Sequence, residues 1–289
     1  MKKILHVQRS DTPHWVGDGF PVRTIFHYQD LAKYMSPFLL MDYAGPAEFK
    51  PTEERRGVGE HPHRGFETVT VVYSGEVEHR DSAGGGGVIK PGDVQWMTAA
   101  SGLVHEERHG ADFAKNGGLF EMVQLWVNLP AKDKMNKPRY QGIRDAQIPV
   151  VELQGGKIRV IAGDYSNAHG PALTHSPINM WDMRLQKGST HTFTVSEGHT
   201  ASVFVLSGSI KLNDDKVIGS AELALMDTTD TTFKIEVLED TKMLFLGGAP
   251  LNEPIVGYGP FVMNTQQEIR QAFDDFNSGK MGHLTNPIA

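Results

Sequence analysis

The chain has no cysteine among its 289 residues. That removes disulfides, thiolate nucleophiles and Cys-held zinc or iron–sulfur sites together, so any metal must be held by His, Asp and Glu. A surplus of positive charge is also missing: 28 Lys and Arg against 35 Asp and Glu give a formal net charge of −7. Duplex nucleic acid is bound by neutralising its phosphates with basic side chains, so direct nucleic-acid binding is not expected. No apolar run approaches the ~18 residues of a membrane-spanning helix. Polar residues also interrupt the basic opening Met1-Lys2-Lys3-Ile4-Leu5-His6 before an export signal can form. A cytoplasmic chain without membrane contact is the expectation. Histidine, by contrast, is plentiful at thirteen copies.

At 39% hydrophobic residues the chain can bury a sizeable core. Short apolar or alternating segments recur between Gly, Pro and Asp turns, at 38–41, 68–72, 94–97, 123–127, 158–161, 203–206, 234–237 and 243–246. This is the rhythm of an all-β sandwich or barrel rather than of βαβ units. The stretch 128–150, carrying Leu129-Pro130, several Lys and Lys137-Pro138-Arg139, breaks the pattern. It suggests a first domain over 1–130, a linker over 131–150 and a second domain over 151–289.

The halves also suggest a duplication. Setting Ser74-Gly75-Glu76-Val77 on Ser207-Gly208-Ser209-Ile210 superposes the apolar strands before these turns, and places His61 on Thr194 and His63 on Ser196. The second half reads as the same architecture without metal ligands. Thr265-Gln266-Gln267-Glu268 has the form of a capping box, and Ile269, Ala272, Phe273 and Phe276 follow at helical spacing before Gly279. A C-terminal helix docked on a barrel is expected, with the residues after Lys280 loosely held.

Two segments carry chemistry. In a strand, residues two apart share a face at roughly 6.5 Å, twice the ~3.3 Å rise. A strand through 61–67 therefore puts His61, His63, Gly65 and Glu67 on one face, and the segment 101–107 read as a strand puts His105 and Glu107 on one face with Glu106 turned away to solvent. Three imidazoles and a carboxylate suit a divalent first-row transition metal. Strand parity leaves Glu67 and Glu107 both open as the carboxylate. Four protein ligands leave one or two positions for a substrate oxygen or O₂. A rival reading takes His105-Glu106-Glu107-Arg108-His109 as a zinc-protease His-Glu-x-x-His motif, which requires a helix. Gly102 and Gly110 bracket too short a segment for one, and His61 and His63 would go unexplained. On the preferred reading His109 lies at the rim or behind the ligands. Phe66, Trp96, Met97 and Phe120 are candidate apolar walls for a planar substrate, or ordinary core.

Four segments in order resemble the signature of pirin proteins, members of the cupin superfamily. They are His61-Pro62-His63-Arg64-Gly65-Phe66-Glu67-Thr68-Val69, Pro91-Gly92-Asp93-Val94-Gln95-Trp96-Met97-Thr98-Ala99, Gln124-Leu125-Trp126-Val127-Asn128-Leu129-Pro130 and Gly259-Pro260-Phe261-Val262-Met263-Asn264-Thr265. The resemblance runs from about Pro37 to Glu268 and implies a bicupin, two antiparallel β-barrels with a short C-terminal helix and a metal in the first barrel. It maps the family's ligands onto His61, His63, His105 and Glu107, and leaves Glu67 to orient an imidazole from behind. Relative to general cupins, Ala100 replaces a usual Pro and His109 a usual Asn.

Some pirins are similar to quercetin 2,3-dioxygenases, which open a flavonol ring with O₂ and release carbon monoxide. The resemblance thus implies a flavonol-like aromatic substrate, O₂ as co-substrate, and Glu107 as the base that removes the 3-hydroxyl proton. Its alternative implication is a metal-binding regulatory protein that engages an enzyme or transcription factor. Fe²⁺ is the first choice of metal, although this ligand set does not separate it from Mn, Ni, Co, Cu or Zn.

Overall fold

The computed structural model describes residues 1–284. All eight apolar segments fall inside strands, and every strand pairing that builds the large sheets is antiparallel. No described helix is long and apolar enough to cross a membrane.

The chain divides into two compact units. The one that carries the histidine segments holds a seven-stranded sheet in the order 139–143, 94–98, 66–74, 118–128, 38–49, 20–27, 14–16, and a four-stranded sheet in the order 57–63, 103–109, 77–81, 86–89. Phe20, Val22, Ala44 and Val72 of the larger sheet share a core with Val77 and Ile89 of the smaller one, so the two sheets face each other. Strand Phe66–Ser74 lies inside the larger sheet and is buried from Phe66 through Val72, its polar Glu67, Thr68 and Thr70 included.

The other unit repeats the plan. Its seven-stranded sheet runs 4–9, 222–226, 200–207, 241–248, 178–185, 156–162, 150–153, and its four-stranded sheet runs 190–194, 232–237, 210–212, 216–218. Trp181, Val203 and Phe245 from one sheet and Phe193, Ile210 and Phe233 from the other form its core. Strand Thr190–Thr194 stands where Gly57–His63 stands in the first unit, at the edge beside the equivalent neighbour. The duplication seen in the turn sequences therefore extends to strand order. Neither pair of sheets closes into a continuous barrel; each is a two-layer, cupin-type jelly roll.

The units are not simple halves of the sequence. Ile4–Arg9 pairs with Glu222–Met226, so Met1–Asp11 belongs with Ala146–Leu251, as does Ile25–Pro37. Within the stretch expected to be linker, Arg139–Ile143 is a strand paired to Val94–Thr98 in the first unit. Residues from Asn252 onward also belong to that first unit. Strand partners, which linear reading does not supply, decide these exchanges.

The C-terminal helix spans Gln266–Asn277, with the capping box formed by Thr265 and Glu268. Its Ile269 and Ala272 bury against Val104, Phe261 and Met263. Met281 joins this cluster and is 4% exposed, and its carbonyl accepts from the Ser82 hydroxyl at 2.6 Å. The segment after Lys280 is thus anchored at its start; 285–289 lie outside the described residues. Two further short helices, Tyr28–Met35 and Ala111–Asn116, were not anticipated.

Candidate metal centre

His61 and His63 lie on strand Gly57–His63 and His105 on Leu103–His109, its antiparallel neighbour, with His105 directly opposite His61. One ligand nitrogen from each of the three rings falls within 4.8 Å of the others. A register shift between His105 and Glu107 places an extra residue on the first strand near Gly59. Bulges of this kind turn a strand's side chains.

The ring nitrogens are already sorted. His61 Nδ1 lies 2.8 Å from the Gly59 carbonyl and His63 Nδ1 3.3 Å from the Pro260 carbonyl. A carbonyl accepts only from N–H, so both rings are Nδ1-protonated and keep an Nε2 lone pair for a metal. His105 Nε2 is buried without any hydrogen-bond partner. Burial, then repulsion from His61, lowers the pKa of both His63 and His105 well below the usual imidazole range. Neutral imidazoles are what a divalent ion requires.

Glu107 belongs to a second group: one of its oxygens lies within 4.8 Å of ring nitrogens of His79 and His105, which are in mutual reach too. His105 is common to both groups. Glu107 sits opposite His79 across the sheet, is 8% exposed, and its Oε1 has no hydrogen-bond partner. An unpaired buried acceptor and an unpaired buried imidazole nitrogen both carry a desolvation cost that a cation relieves. The donor set therefore fits a transition metal held by nitrogen and oxygen.

His79 was missed by sequence reading. It is buried, stacked on Tyr140 with ring centroids 5.1 Å apart, and linked to Asp81 on one side and His105 on the other. The available signal was His79-Arg80-Asp81 on a strand, which puts imidazole and carboxylate on one face.

Several expectations need correction. The strand is interrupted at Arg64 and Gly65, so one strand ends at His63 and the next begins at Phe66; face parity does not carry through to Glu67. Glu67 is buried and accepts from the Thr98 hydroxyl at 2.6 Å rather than orienting an imidazole. Burial, opposed by that hydrogen bond, pushes its pKa up to about 7. Glu106 is not solvated: it is 3% exposed and paired with Arg80 and Arg108. His109 is not at the rim: its Nε2–H donates to the Gly19 carbonyl, 2.8 Å away, amid Phe20, Phe49, Phe113 and Phe120. Residues Leu103–His109 form a strand, which excludes the protease helix. Of the candidate walls, Phe66 lies against His63 at 5.1 Å, while Phe120 belongs to the His109 cluster. Trp126 also flanks His63, at 5.4 Å, and was not counted among the walls.

The strand break is strongly supported. Gly65 has φ +90°, and a Cβ there would lie 2.0 Å from the Val262 carbonyl oxygen, so only glycine fits. Arg64 donates to the Ser101 carbonyl and to Asp275 of the C-terminal helix. Lys134, 1% exposed, donates to the Gly65 and Val262 carbonyls and to Asn128 Oδ1 at 2.6–3.0 Å. In the second unit the sheet register sets Phe193, opposite Phe233, where His61 stands opposite His105, so the equivalence of Thr194 and Ser196 read from the turn sequences is one residue off; Thr194 and Ser196 instead line a cleft of about 710 Å³ with Val195 and His199.

Comparison with known proteins matches the family model Pirin over residues 19–127 and the Pirin C-terminal cupin domain over 180–282. A Pseudomonas aeruginosa protein provisionally named quercetin 2,3-dioxygenase is 56% identical over 282 residues, 97% of this chain and 98% of that one. A crystal structure of quercetin 2,3-dioxygenase from Acinetobacter baumannii superposes with a TM-score of 0.96 at 55% identity, covering 99% of this chain and all of that one. A pirin-like protein of Solanum lycopersicum is 36% identical over 98% of this chain and 92% of its own.

Proposed function

The chain belongs to the pirin family, and on that premise we propose that it is a metal-dependent dioxygenase that opens a flavonol-like ring with O₂ at a site formed by His61, His63, His105 and Glu107. The observation that carries this reading is the buried, unpartnered pair His105 Nε2 and Glu107 Oε1 beside two imidazoles with free Nε2 lone pairs. When bound, a divalent ion, Fe²⁺ as first choice, supplies a Lewis acid and, if redox-active, a path for electrons to O₂.

The chain's own residues do the rest. Glu107, an acceptor with no competing donor at Oε1, takes the proton of the 3-hydroxyl. His61 is half-buried while His63 and His105 are buried, so substrate enters on the His61 side. Phe66 and half-buried Trp126, 4.3 Å apart and both beside His63, give a planar aromatic ring an apolar face. The unit holding 38–145 carries the reaction, and the second unit has no part in ligating the ion.

The test is anaerobic loading with Fe(II), Mn, Ni, Co and Cu in turn, followed by measurement of flavonol loss and carbon monoxide on admitting O₂. Turnover with at least one metal is expected. No turnover with any of them sinks the enzyme reading and favours a metal-binding regulatory protein.

A further inference from the structure

We propose that Asp81 and His79 form a positioning device that fixes which nitrogen of His105 faces the metal site. The proposal rests on the metal-site reading above, and concerns residues that the expected ligand set leaves idle.

Three side chains form a chain of contacts: Asp81 Oδ2 lies 3.2 Å from His79 Nε2, and His79 Nδ1 lies 3.3 Å from His105 Nδ1. The His79 and Asp81 side chains are at most 1% exposed. Asp81 is itself anchored, because its Oδ1 accepts from the backbone N–H groups of Ala83 and Gly85, each at 2.9 Å. A Cβ on Gly85 would sit 2.4 Å from Asp81 Oδ2 and 2.5 Å from Tyr140, so glycine lets this turn close over the pair. Tyr140 stacks on the His79 ring at 15° and holds its plane.

Proton bookkeeping then runs one way. A carboxylate only accepts, so a His79 ring that carries one N–H places it on Nε2, facing Asp81. Its Nδ1 is left as an acceptor. Two facing Nδ1 atoms hydrogen-bond only if one carries hydrogen, so His105 is protonated at Nδ1. The lone pair of His105 is thereby fixed on Nε2, the buried nitrogen that has no partner. The opposite arrangement would point a His79 lone pair at a carboxylate. Oriented imidazoles of this kind bind metals more tightly because the ligand pays no tautomer or rotamer cost on binding.

Two experiments test the device, and neither needs turnover, so they separate its failure from failure of the dioxygenase reading. Long-range ¹H–¹⁵N correlation spectra of the metal-free protein should show His105 protonated at Nδ1 and His79 at Nε2; a proton on His105 Nε2 overturns the proposal. The second compares His79→Gln, whose amide can donate to Asp81 and accept from His105, with His79→Phe, which keeps a ring against Tyr140 but accepts nothing. Cobalt(II) titration followed by visible absorption should show His79→Phe weakened about 10- to 100-fold and His79→Gln within about threefold of wild type. Equal cobalt affinity in wild type and His79→Phe, or a fourth imidazole in the cobalt shell, refutes it. Should His79→Phe fail to fold, the spectra of the unaltered protein still decide.

Discussion

Arg64 and Asp275, 211 positions apart in sequence, form an ion pair at 2.9 Å between the break that follows His63 and the C-terminal helix. Both side chains are nearly buried, at 5% and 11% exposure. Removing one partner of such a pair leaves an uncompensated charge away from water. Asp275→Ala should lower stability by about 3 kcal/mol, as read from urea unfolding. Because Pro260, just before this helix, accepts from His63, metal affinity should fall as well. An unchanged unfolding midpoint would show the pair to be ornamental.

The same carboxylate sets an acid limit. Lys280 foremost, then Arg64 and Gln271, hold the Asp275 pKa down to about 2 from the ordinary 3.8, with burial working against them. A depressed carboxylate pKa contributes stability that is complete above the unfolded value and disappears as pH drops through the folded one. The stability gap between wild type and Asp275→Asn should therefore be constant from pH 7 to about 5 and narrow from about 4 to 2. A gap independent of pH over that window contradicts the assignment.

Lys134 ties three acceptors from separate segments together. Lys134→Met keeps most of the side-chain volume but removes the ammonium from the buried Gly65 and Val262 carbonyls, while Asn128 Oδ1 keeps the Leu129 N–H as a donor. At about 1–3 kcal/mol for each unsatisfied buried group, the variant should lose at least about 2 kcal/mol in chemical denaturation. A loss below about 0.5 kcal/mol would mean water replaces the ammonium.

Glu107→Gln separates ligation from proton removal. The amide oxygen still offers a weak donor to a cation but is no base, so flavonol turnover should stop, by at least about 100-fold, while elemental analysis finds much of the metal retained. A rate within twofold of wild type removes Glu107 from the mechanism.

Much of this was legible because a strand's periodicity states which of its residues share a face. His61 and His63 share a face by parity alone, and Thr265 and Glu268 announced a helix start that the fold retains. What escaped was set by neighbours across a sheet. Glu106 was read as solvated because alternation turns it away from the ligands, yet Arg80 on the adjoining strand and Arg108 on its own cover it. His79 went unnoticed because nothing in one strand's sequence tells that Glu107 will stand opposite it. Gly65 was placed within a continuous strand, but its positive φ ends the strand and cancels parity for Glu67.

The second unit reproduces the strand order of the first with buried Phe193 and Val195 at the positions of His61 and His63. The same arrangement of strands is thus built with apolar side chains where the first unit carries imidazoles. For the metal proposed in the first unit, chelation should then remove the ion while leaving the circular dichroism unaltered, unlike small zinc domains that unravel on stripping.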